Sequence, residues 1–513
     1  MMRWLILLHR YLGIAIGWLV VLWCLSGVVM MYVTFPDVTT AERARLLPEL
    51  DLERCCTVDP LFGGIGVDGA HVEMLGDEPV MRVTDDFGRV WTLGLADGRF
   101  IDALDEAAIR SAAAALAASL PGAAPRYLGT VDRDQWTVTA AFDRHRPLHL
   151  FALDDPAGTL WYFSSTTGEL VQASTRAERF WNWLGSVPHW LYPTLLRQNG
   201  PLWIKVVIAT SLVGLFLTAI GLYIGIARLK RRRSGRWSPY RGLALWHHWL
   251  GLAFGVLTLT WLGSGLLSVN PWGLLEPSGA FAERENLRGA VLDVEDLRRW
   301  AAALARTEPP AGIVRLELAP FGGRIGVIAH DADGRATRLD AETLSPAPLD
   351  VSELERAAGT LVPGVPIASA ELVSTEDAYY FSHHAKRPLP VYRVILADEP
   401  ETRYYIDPTS GRLLLKVDAA QRGYRWLFEG LHRLDFAAPM RVRPLWDVLM
   451  IVLLAGVTGV SATGTWMGIR YLRRRKARFG IDMGRPGRQR ETETVYAERS
   501  TALGGAPSPR EPL

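Results

Sequence analysis

The sequence predicts a membrane α-helical protein with four transmembrane helices and two α+β inserts, built by duplicating one helix–domain–helix unit. Three observations predict it: four long uncharged apolar runs, a strongly uneven placement of Lys and Arg around them, and an internal repeat. At 513 residues the chain is long enough for two or three domains. Its formal net charge of +2 gives no reason to expect a nucleic-acid partner.

The four apolar runs are each long enough to cross a hydrocarbon core of about 30 Å as a helix. They cover residues 11–36, 206–227, 249–275 and 448–469, and none contains Asp, Glu, Lys or Arg. The first resembles a secretion signal, but it is too long for a signal core. A near copy of it also recurs in mid-chain, where no signal acts. We therefore expect four membrane spans.

The distribution of Lys and Arg predicts how these spans are oriented. Basic residues crowd the segments 228–241 and 470–478, which follow the second and fourth spans. Such segments are typical of the cytoplasmic side. Both chain termini are then cytoplasmic, and both inserts lie outside. The tail beyond Gly480 is rich in Pro, Gly, Arg and Glu, and we expect it to be disordered.

These features divide the chain into eight parts. They are a first transmembrane helix (1–36), an external α+β insert (37–180), an interfacial segment with the second transmembrane helix (181–228), a basic cytoplasmic loop (229–245), a third transmembrane helix (246–275), a second α+β insert (276–422), an interfacial segment with the fourth transmembrane helix (423–472), and a basic cytoplasmic tail (473–513).

The two halves of the chain align without gaps in two blocks. In the first block His9, Gly13, Gly17, Trp23, Ser26 and Gly27 fall on His247, Gly251, Gly255, Trp261, Ser264 and Gly265. In the second block Tyr162, Gly168, Trp183, His189, Gly221 and Gly225 fall on Tyr405, Gly411, Trp426, His432, Gly464 and Gly468. Parallel repeats related by an axis along the membrane normal are a common way to build membrane proteins.

Short alternating segments with turn residues predict hairpins in both inserts. They lie at 82–92, at 325–338 around Asp333-Gly334, and at 404–414 around Ser410-Gly411. Alanine-rich and periodic runs predict helices at 107–120 and 294–305. We expect small modules in which a helix lies over an antiparallel sheet.

Histidines carry the predicted chemistry. His9 and His247 lie near the cytoplasmic ends of the first and third spans, where an ionisable side chain is a functional candidate by default. Each is followed on the same helix face by two glycines, Gly13 and Gly17 or Gly251 and Gly255. An imidazole beside a flat groove suits a porphyrin whose iron the imidazole ligates. Glycine-mediated helix packing would also explain the glycines, but not the matched histidines.

Two further sets of histidines are candidates. His189 and His432 precede the second and fourth spans in aromatic-rich segments, and could ligate a second haem near the outer face. Alternatively, they are ordinary boundary histidines. His248 points about 100° away from its neighbour His247. It is an alternative ligand, a ligand to a second haem, or an interfacial residue.

The remaining His and Cys residues give weaker signals. His145 and His149 flank the segment Arg146-Pro147-Leu148, and the pair His383-His384 precedes the matched segment Arg387-Pro388-Leu389. These histidines could contact a substrate or metal, although loop histidines are ordinary. His71 and His330 have no supporting context. Cys24, Cys55 and Cys56 are too few for a disulfide framework and are interpreted as incidental. No nucleotide-binding or HExxH motif is present.

The pattern resembles the PepSY-associated transmembrane family. The resemblance rests on 8–13, 189–192, 247–251, 387–392, 405–411 and 432–436, on the order of these motifs along the chain and on their duplication, and it extends to about Arg475. It implies four spans in the bacterial inner membrane, PepSY-type inserts, and kinship with haem-containing ferric-siderophore reductases. By this resemblance His9, His247, His248, His189 and His432 are possible ligands of one or two b-type haems. Arg10 stands where the other repeat has His248, so a scheme that needs two histidines at both places fails.

The leading functional hypothesis is electron transfer across the membrane. A cytoplasmic or membrane reductant would supply electrons, and a periplasmic acceptor such as a ferric siderophore would receive them. A second hypothesis is non-enzymatic: the inserts bind or restrain a periplasmic protein or peptide, and the helices anchor them. A third is a haem-containing subunit of a quinone-linked or oxidase complex.

Overall fold

The computed structural model describes residues 1–53, 55–58, 66–101, 103–231, 235–382 and 386–480. The candidate residues His383 and His384 and most of the predicted tail lie outside these ranges.

Helices occur both in the apolar runs and in the inserts. In chain order they are α1 (Met2–Met30), α2 (Thr40–Leu46), α3 (Glu106–Ala117), α4 (Arg176–Leu184), α5 (Ser186–His189), α6 (Thr194–Arg197), α7 (Gly200–Arg228), α8 (Leu243–Leu267), α9 (Phe281–Arg288), α10 (Val294–Leu304), α11 (Val351–Ala358), α12 (Ala419–Tyr424), α13 (Leu431–Arg433) and α14 (Leu445–Gly480). A π-helical turn, Arg425–Gly430, joins α12 to α13.

All fourteen strands of the described residues lie in the inserts. They are β1 (Val67–Leu75), β2 (Glu78–Asp85), β3 (Val90–Gly94), β4 (Arg126–Val131), β5 (Leu148–Ala152), β6 (Leu160–Ser164), β7 (Leu170–Ser174), β8 (Ile313–Phe321), β9 (Arg324–Asp331), β10 (Ala336–Asp340), β11 (Ile367–Val373), β12 (Val391–Leu396), β13 (Arg403–Ile406) and β14 (Leu413–Val417).

Four helices are long and apolar enough to cross a membrane, which confirms the predicted number of spans. They are α1, α7, α8 and α14. Even the shortest, α8 with 25 residues, would extend about 38 Å. Several boundaries differ from the prediction. The helix α14 continues to Gly480, so that residues 473–480, predicted as part of the tail, extend the fourth long helix. The helix α1 ends well before Pro36, and α8 ends at Leu267, because the following Asn270 adopts a left-handed conformation ahead of Pro271.

The four long helices form a ring. The helix α1 packs against α7 and α14, and α8 packs against the same two helices. The first helices of the two repeats, α1 and α8, therefore face each other across the bundle. Within its own repeat, α1 packs against the second helix α7, and α8 packs against the second helix α14.

The inserts are not two separate modules. Strands β1–β3 of the first insert and β8–β10 of the second form one six-stranded antiparallel sheet, in the order β10-β9-β8-β1-β2-β3. The two halves join through β1 and β8, where Val72 lies opposite Leu316. Each insert also has a four-stranded sheet of its own, β4–β7 or β11–β14. The expectation of one self-contained α+β module per insert therefore needs this correction.

The local predictions within the inserts are confirmed. The three predicted hairpins are β2–β3, β9–β10 and β13–β14, and the predicted helices are α3 and α10. As expected, a helix covers each four-stranded sheet. Residues of α3 such as Ile109 pack on Phe151 and Phe163, and Leu354 of α11 packs on Tyr392 and Tyr404.

Candidate functional site

The bundle brings the histidines of the two repeats together in two pairs. His9 of α1 and His247 of α8 lie at the end of the bundle far from the sheets, with their ring centres 6.1 Å apart. We call them the basal pair. His189, at the end of α5, and His432, in α13, lie beside the inserts with their ring centres 6.2 Å apart. We call them the apical pair. Both pairings join equivalent residues of the two repeats.

One ring nitrogen of each basal histidine is anchored to the other helix of its own unit. The Nδ1 atom of His9 donates to the Leu217 carbonyl of α7 at 3.2 Å. The Nδ1 atom of His247 donates to the Val460 carbonyl of α14 at 3.0 Å. A carbonyl only accepts, so each Nδ1 carries the proton, and each Nε2 keeps its lone pair. Metal-binding imidazoles are typically oriented by such a bond.

The apical histidines are anchored in the same way by the first helix of their unit. The Nδ1 atom of His189 lies 3.1 Å from the Trp23 carbonyl and 3.2 Å from the Ser26 hydroxyl. The Nδ1 atom of His432 lies 3.0 Å from the Ser264 hydroxyl. Both serine hydroxyls donate to a carbonyl of their own helix, so each accepts a hydrogen bond from the imidazole. The Nε2 lone pair again remains available.

Glycines on the neighbouring helices allow the imidazoles to approach closely. A Cβ atom on Gly221 would lie 2.7 Å from Cε1 of His9, and one on Gly464 would lie 3.0 Å from Cε1 of His247. Such a distance would displace the ring. At the apical pair, Gly27 and Gly265 provide the equivalent surface, where a Cβ would lie 3.5 and 3.4 Å from Cε1 of the histidines.

The glycines predicted to face a cofactor have two different environments. A Cβ on Gly251 would meet no atom within 4 Å, and one on Gly13 would touch only Leu217, at 3.9 Å. These two glycines leave open space one helical turn from the basal histidines. In contrast, Gly17 packs on Thr465 and Gly255 on Leu222, at matched contacts between the units. They therefore serve helix packing, the alternative explanation of the pattern.

His248 belongs to neither pair. Its Nδ1 accepts from the Ser238 hydroxyl at 2.8 Å, and its Nε2 donates to the Gly225 carbonyl at 2.9 Å. Both nitrogens are thus occupied, and the side chain is buried against Tyr240. In this arrangement His248 ties the loop between α7 and α8 to the bundle, and it has no nitrogen free for a metal.

The spacing of the rings within each pair is compatible with one metal ion that both imidazoles would bind. Two imidazoles on opposite sides of one ion place their ring centres about 6 Å apart, because each metal–nitrogen bond is about 2 Å and each nitrogen lies about 1 Å from its ring centre. The observed separations are 6.1 and 6.2 Å. The anchored Nδ1 atoms leave four neutral Nε2 donors, the form that binds haem iron.

The two pairs lie at different depths along the bundle. On α1, fourteen residues separate His9 from Trp23, whose carbonyl contacts the apical pair. At a rise of 1.5 Å per residue this corresponds to about 21 Å. The same number of residues separates His247 from Trp261 on α8. Both pairs therefore lie within the length of the long helices.

The other candidate histidines lie away from both pairs. His145 lies in the 3-10 turn between β4 and β5 and hydrogen-bonds Ser164. His149 lies in β5 and hydrogen-bonds the Tyr127 hydroxyl. Cys55 and Cys56 contact each other and pack against the core of the six-stranded sheet, and Cys24 is buried in the bundle. The incidental role inferred for the cysteines therefore stays a prediction.

His71, Glu73 and Glu169 are the three described residues whose grouping is compact enough to hold a metal ion. The surrounding charges oppose a cation. Arg43 bonds Glu169 at 2.6 Å, and Arg82 bonds Glu73 at 3.0 Å. Although burial disfavours their charge, these arginines hold the pKa of both carboxyls below the usual range, Arg82 having the largest such effect. The cluster is a buried ion-pair network where the two inserts join.

Several residues that position the histidines were not singled out as site residues from the sequence. They are Ser26, Ser264, Gly221, Gly464 and the carbonyl-bearing Leu217. The first four do occur among the matched residues of the repeat. Matching alone did not show which of them touch an imidazole, because that depends on how the helices pack.

No model of a known protein family matches this chain, and no curated protein matches its sequence. The resemblance described above therefore rests on the quoted motifs alone.

Proposed function

We propose that this chain is a b-type haem protein of the bacterial inner membrane, which moves electrons across the membrane to a periplasmic acceptor such as a chelated ferric ion. The observation that carries this proposal is the pairing of four anchored imidazoles, with ring centres 6.1 Å apart at one depth and 6.2 Å apart at the other. The duplication by itself brings equivalent residues near the axis together, but packing gives no reason for these residues to be imidazoles with matched Nδ1 anchors at both depths.

The residues of each pair would hold one haem through their Nε2 atoms. Haem with two neutral imidazole ligands supplies a low-spin iron centre suited to one-electron transfer. The protein fixes these ligands before any cofactor binds, because Leu217, Val460, Ser264 and the Trp23 carbonyl restrain the rings. A restrained ligand loses little conformational entropy on binding.

The depth of the pairs supports transfer across the bilayer. A separation of about 21 Å along the helices covers roughly two thirds of a 30 Å hydrocarbon core. The basal pair would receive an electron on the side of the basic loops, and the apical pair would deliver it beside the inserts. One electron reduces a ferric chelate to the ferrous state, which hard oxygen donors hold less tightly.

The dithionite-reduced absorption spectrum of the purified protein tests the proposal. Expressed with ample haem, it should show a b-type α-band corresponding to two haems per chain. His9→Ala and His189→Ala should each remove about half of this absorbance, and the double variant nearly all of it. His248→Asn is the matched control and should keep the full absorbance.

Absence of the α-band would reject electron transfer and favour the binding of a periplasmic protein or peptide by the inserts. Loss of both haems in His248→Asn, with full retention in His9→Ala, would reject the assignment of the pairs.

A further inference from the structure

Arginine and tyrosine side chains meet at the basal end of the seam between α1 and α14, two helices of different units that pack against each other. The Arg10 guanidinium lies 4.7 Å from the ring centre of Tyr471. The Tyr11 ring meets the same Tyr471 ring edge to face, with the ring centres 6.5 Å apart. Arg475 follows Tyr471 by four residues, so it lies one turn further along the same face of α14. We call these four residues the seam cluster.

The seam cluster is open to its surroundings. Both of its arginines are exposed, and Tyr11 is 43% exposed. The charges of both arginines act on the two tyrosine hydroxyls. No Asp or Glu occurs in 1–36, 200–275 or 448–480, so the long helices and the loop between α7 and α8 supply no carboxylate to this end of the bundle. The cluster therefore offers two positive charges and two hydroxyl groups to an anion.

The depth of the cluster matches the edge of the hydrocarbon core of a bilayer. The uncharged run of α1 begins at Tyr11, and that of α14 ends at Ile469, so the cluster lies where both helices leave the apolar layer. One turn deeper, a Cβ atom on Gly468 would lie 2.6 Å from Cγ1 of Ile14, so the two helices are in close contact there. An anion can therefore reach the cluster from the headgroup region, but it cannot pass deeper between the helices.

The equivalent seam between α7 and α8 is covered by the chain itself. In the alignment of the repeats, His248 takes the place of Arg10. Ser238, in the loop before α8, hydrogen-bonds His248 at 2.8 Å, and Tyr240 of the same loop packs against its ring with the centres 5.2 Å apart. His248 is buried as a result, whereas Arg10 is exposed. One of the two equivalent positions is thus filled by protein, and the other presents a charge.

We infer that the seam cluster binds the phosphate of an anionic phospholipid headgroup. A guanidinium group binds phosphate oxygens through two parallel hydrogen bonds, and a tyrosine hydroxyl can donate another. Basic pockets between membrane helices on the cytoplasmic side are typical headgroup sites. The cytoplasmic preference of basic residues explains how many there are, but it does not require a tyrosine pair that holds one of them across a helix contact. This inference does not depend on haem.

Native mass spectrometry of the full-length protein in detergent measures how tightly the first lipid molecule binds. Phosphatidylglycerol, which is anionic, is compared with phosphatidylcholine of the same acyl chains, whose choline group cancels the phosphate charge. We expect phosphatidylglycerol to bind at least about tenfold more tightly. Arg10→Gln and Arg475→Gln should each weaken its binding about tenfold, because each removes a hydrogen bond to a charged group.

Arg473→Gln is the matched control. It removes the same charge from the same exposed end of α14, but its side chain points about 200° around the helix from that of Arg475. Binding of phosphatidylglycerol should then change less than about twofold. Equal losses in Arg473→Gln and Arg475→Gln, or equal affinities for the two lipids, would overturn the inference.

Two further outcomes would assign the seam cluster to another anion and would also overturn the inference. Displacement of phosphatidylglycerol by millimolar inorganic phosphate would indicate a soluble phosphate-bearing ligand. Loss of haem in Arg10→Gln, with lipid binding unchanged, would indicate a haem propionate. Protein that binds phosphatidylglycerol in the expected way but holds no haem would support this inference and reject the proposed function.

Discussion

At the residue scale, the histidines of the bundle differ in how many ring nitrogens are already engaged. His248 uses both nitrogens in hydrogen bonds, to Ser238 and Gly225. His9 and His247 each use Nδ1 alone, and each faces its partner across the bundle. The same residue type at neighbouring positions thus fastens a loop through both ring nitrogens in one case, and keeps the lone pair of Nε2 in the other.

Gly464→Ala should impair the basal pair specifically. The added Cβ would lie 3.0 Å from Cε1 of His247, so the ring would have to shift from its present position. We expect loss of about half of the haem absorbance while the protein remains folded in detergent. Gly263→Ala is the matched control, because its Cβ would make only an ordinary contact of 3.8 Å with Leu215. If Gly464→Ala and Gly263→Ala show the same haem absorbance, the position of the His247 ring is not tightly restrained by Gly464.

His71 should make the inserts less stable in mild acid. Burial, together with the nearby Arg315, lowers the pKa of His71 to about 4, from an ordinary value of 6.5. The unfolded chain therefore binds a proton more readily than the folded one, and stability falls as the pH drops from about 6.5 to 4. The loss is on the order of 3 kcal/mol.

Pulse proteolysis of the full chain at pH 7 and pH 4.5 measures this loss. His71→Gln cannot titrate, so its stability should change less over the same interval. The Glu73 and Glu169 carboxyls titrate below this window, since the neighbouring arginines lower their pKa. If the stability of His71→Gln falls as much between pH 7 and pH 4.5 as that of the unmodified protein, a group other than His71 causes the loss.

At the scale of elements, the pairing of β1 with β8 joins the inserts into one folding unit. Val72 and Leu316 are opposite each other at the centre of the six-stranded sheet, and neither is exposed to solvent. Arg82 and Arg338 extend the connection, because they donate to the carbonyls of Thr167 and Ser410 in the turns of the four-stranded sheets. Each insert therefore depends on the other for part of its core.

Leu316→Ala should destabilise both inserts together. Removing a fully buried leucine side chain costs about 2–5 kcal/mol. Limited proteolysis should then reveal new cleavage sites in both inserts at the same denaturant concentration. Val291→Ala, at a position 80% exposed, is the control and should leave cleavage unchanged. Cleavage confined to the second insert would contradict a shared core.

The sequence predicted elements with local signals and missed those set by distant packing. The hairpin β9–β10 follows from its alternating residues and Asp333-Gly334, because a turn of this kind is determined by adjacent residues. The β1–β8 pairing joins segments more than 200 residues apart, and no periodicity reveals it. Likewise, the pattern on α1 drew attention to Gly17, whereas the glycine that His9 contacts is Gly221 of another helix.

At the scale of the whole molecule, the two units keep the bundle alike while their inserts have diverged. The anchoring of His9 by α7 is repeated by His247 and α14, and the apical anchors are repeated as well. In contrast, Glu169 of the first unit corresponds to Arg412 of the second. Both charges lie at the central sheet, where Arg412 contacts Glu317. The two units are therefore alike where their helices anchor the histidines, and differ in charge where their inserts meet.

The orientation of the whole molecule gives the last prediction. Arg and Lys crowd the loop after α7 and the end of α14, and such clusters stay on the cytoplasmic side. Green fluorescent protein, which folds in the cytoplasm and not after export in unfolded form, should therefore fluoresce when fused after Leu513. Alkaline phosphatase fused after Ser278, just beyond α8, should be active because it is exported. A dark fusion at the C-terminus together with an inactive phosphatase would reverse the topology, and would place the inserts in the cytoplasm.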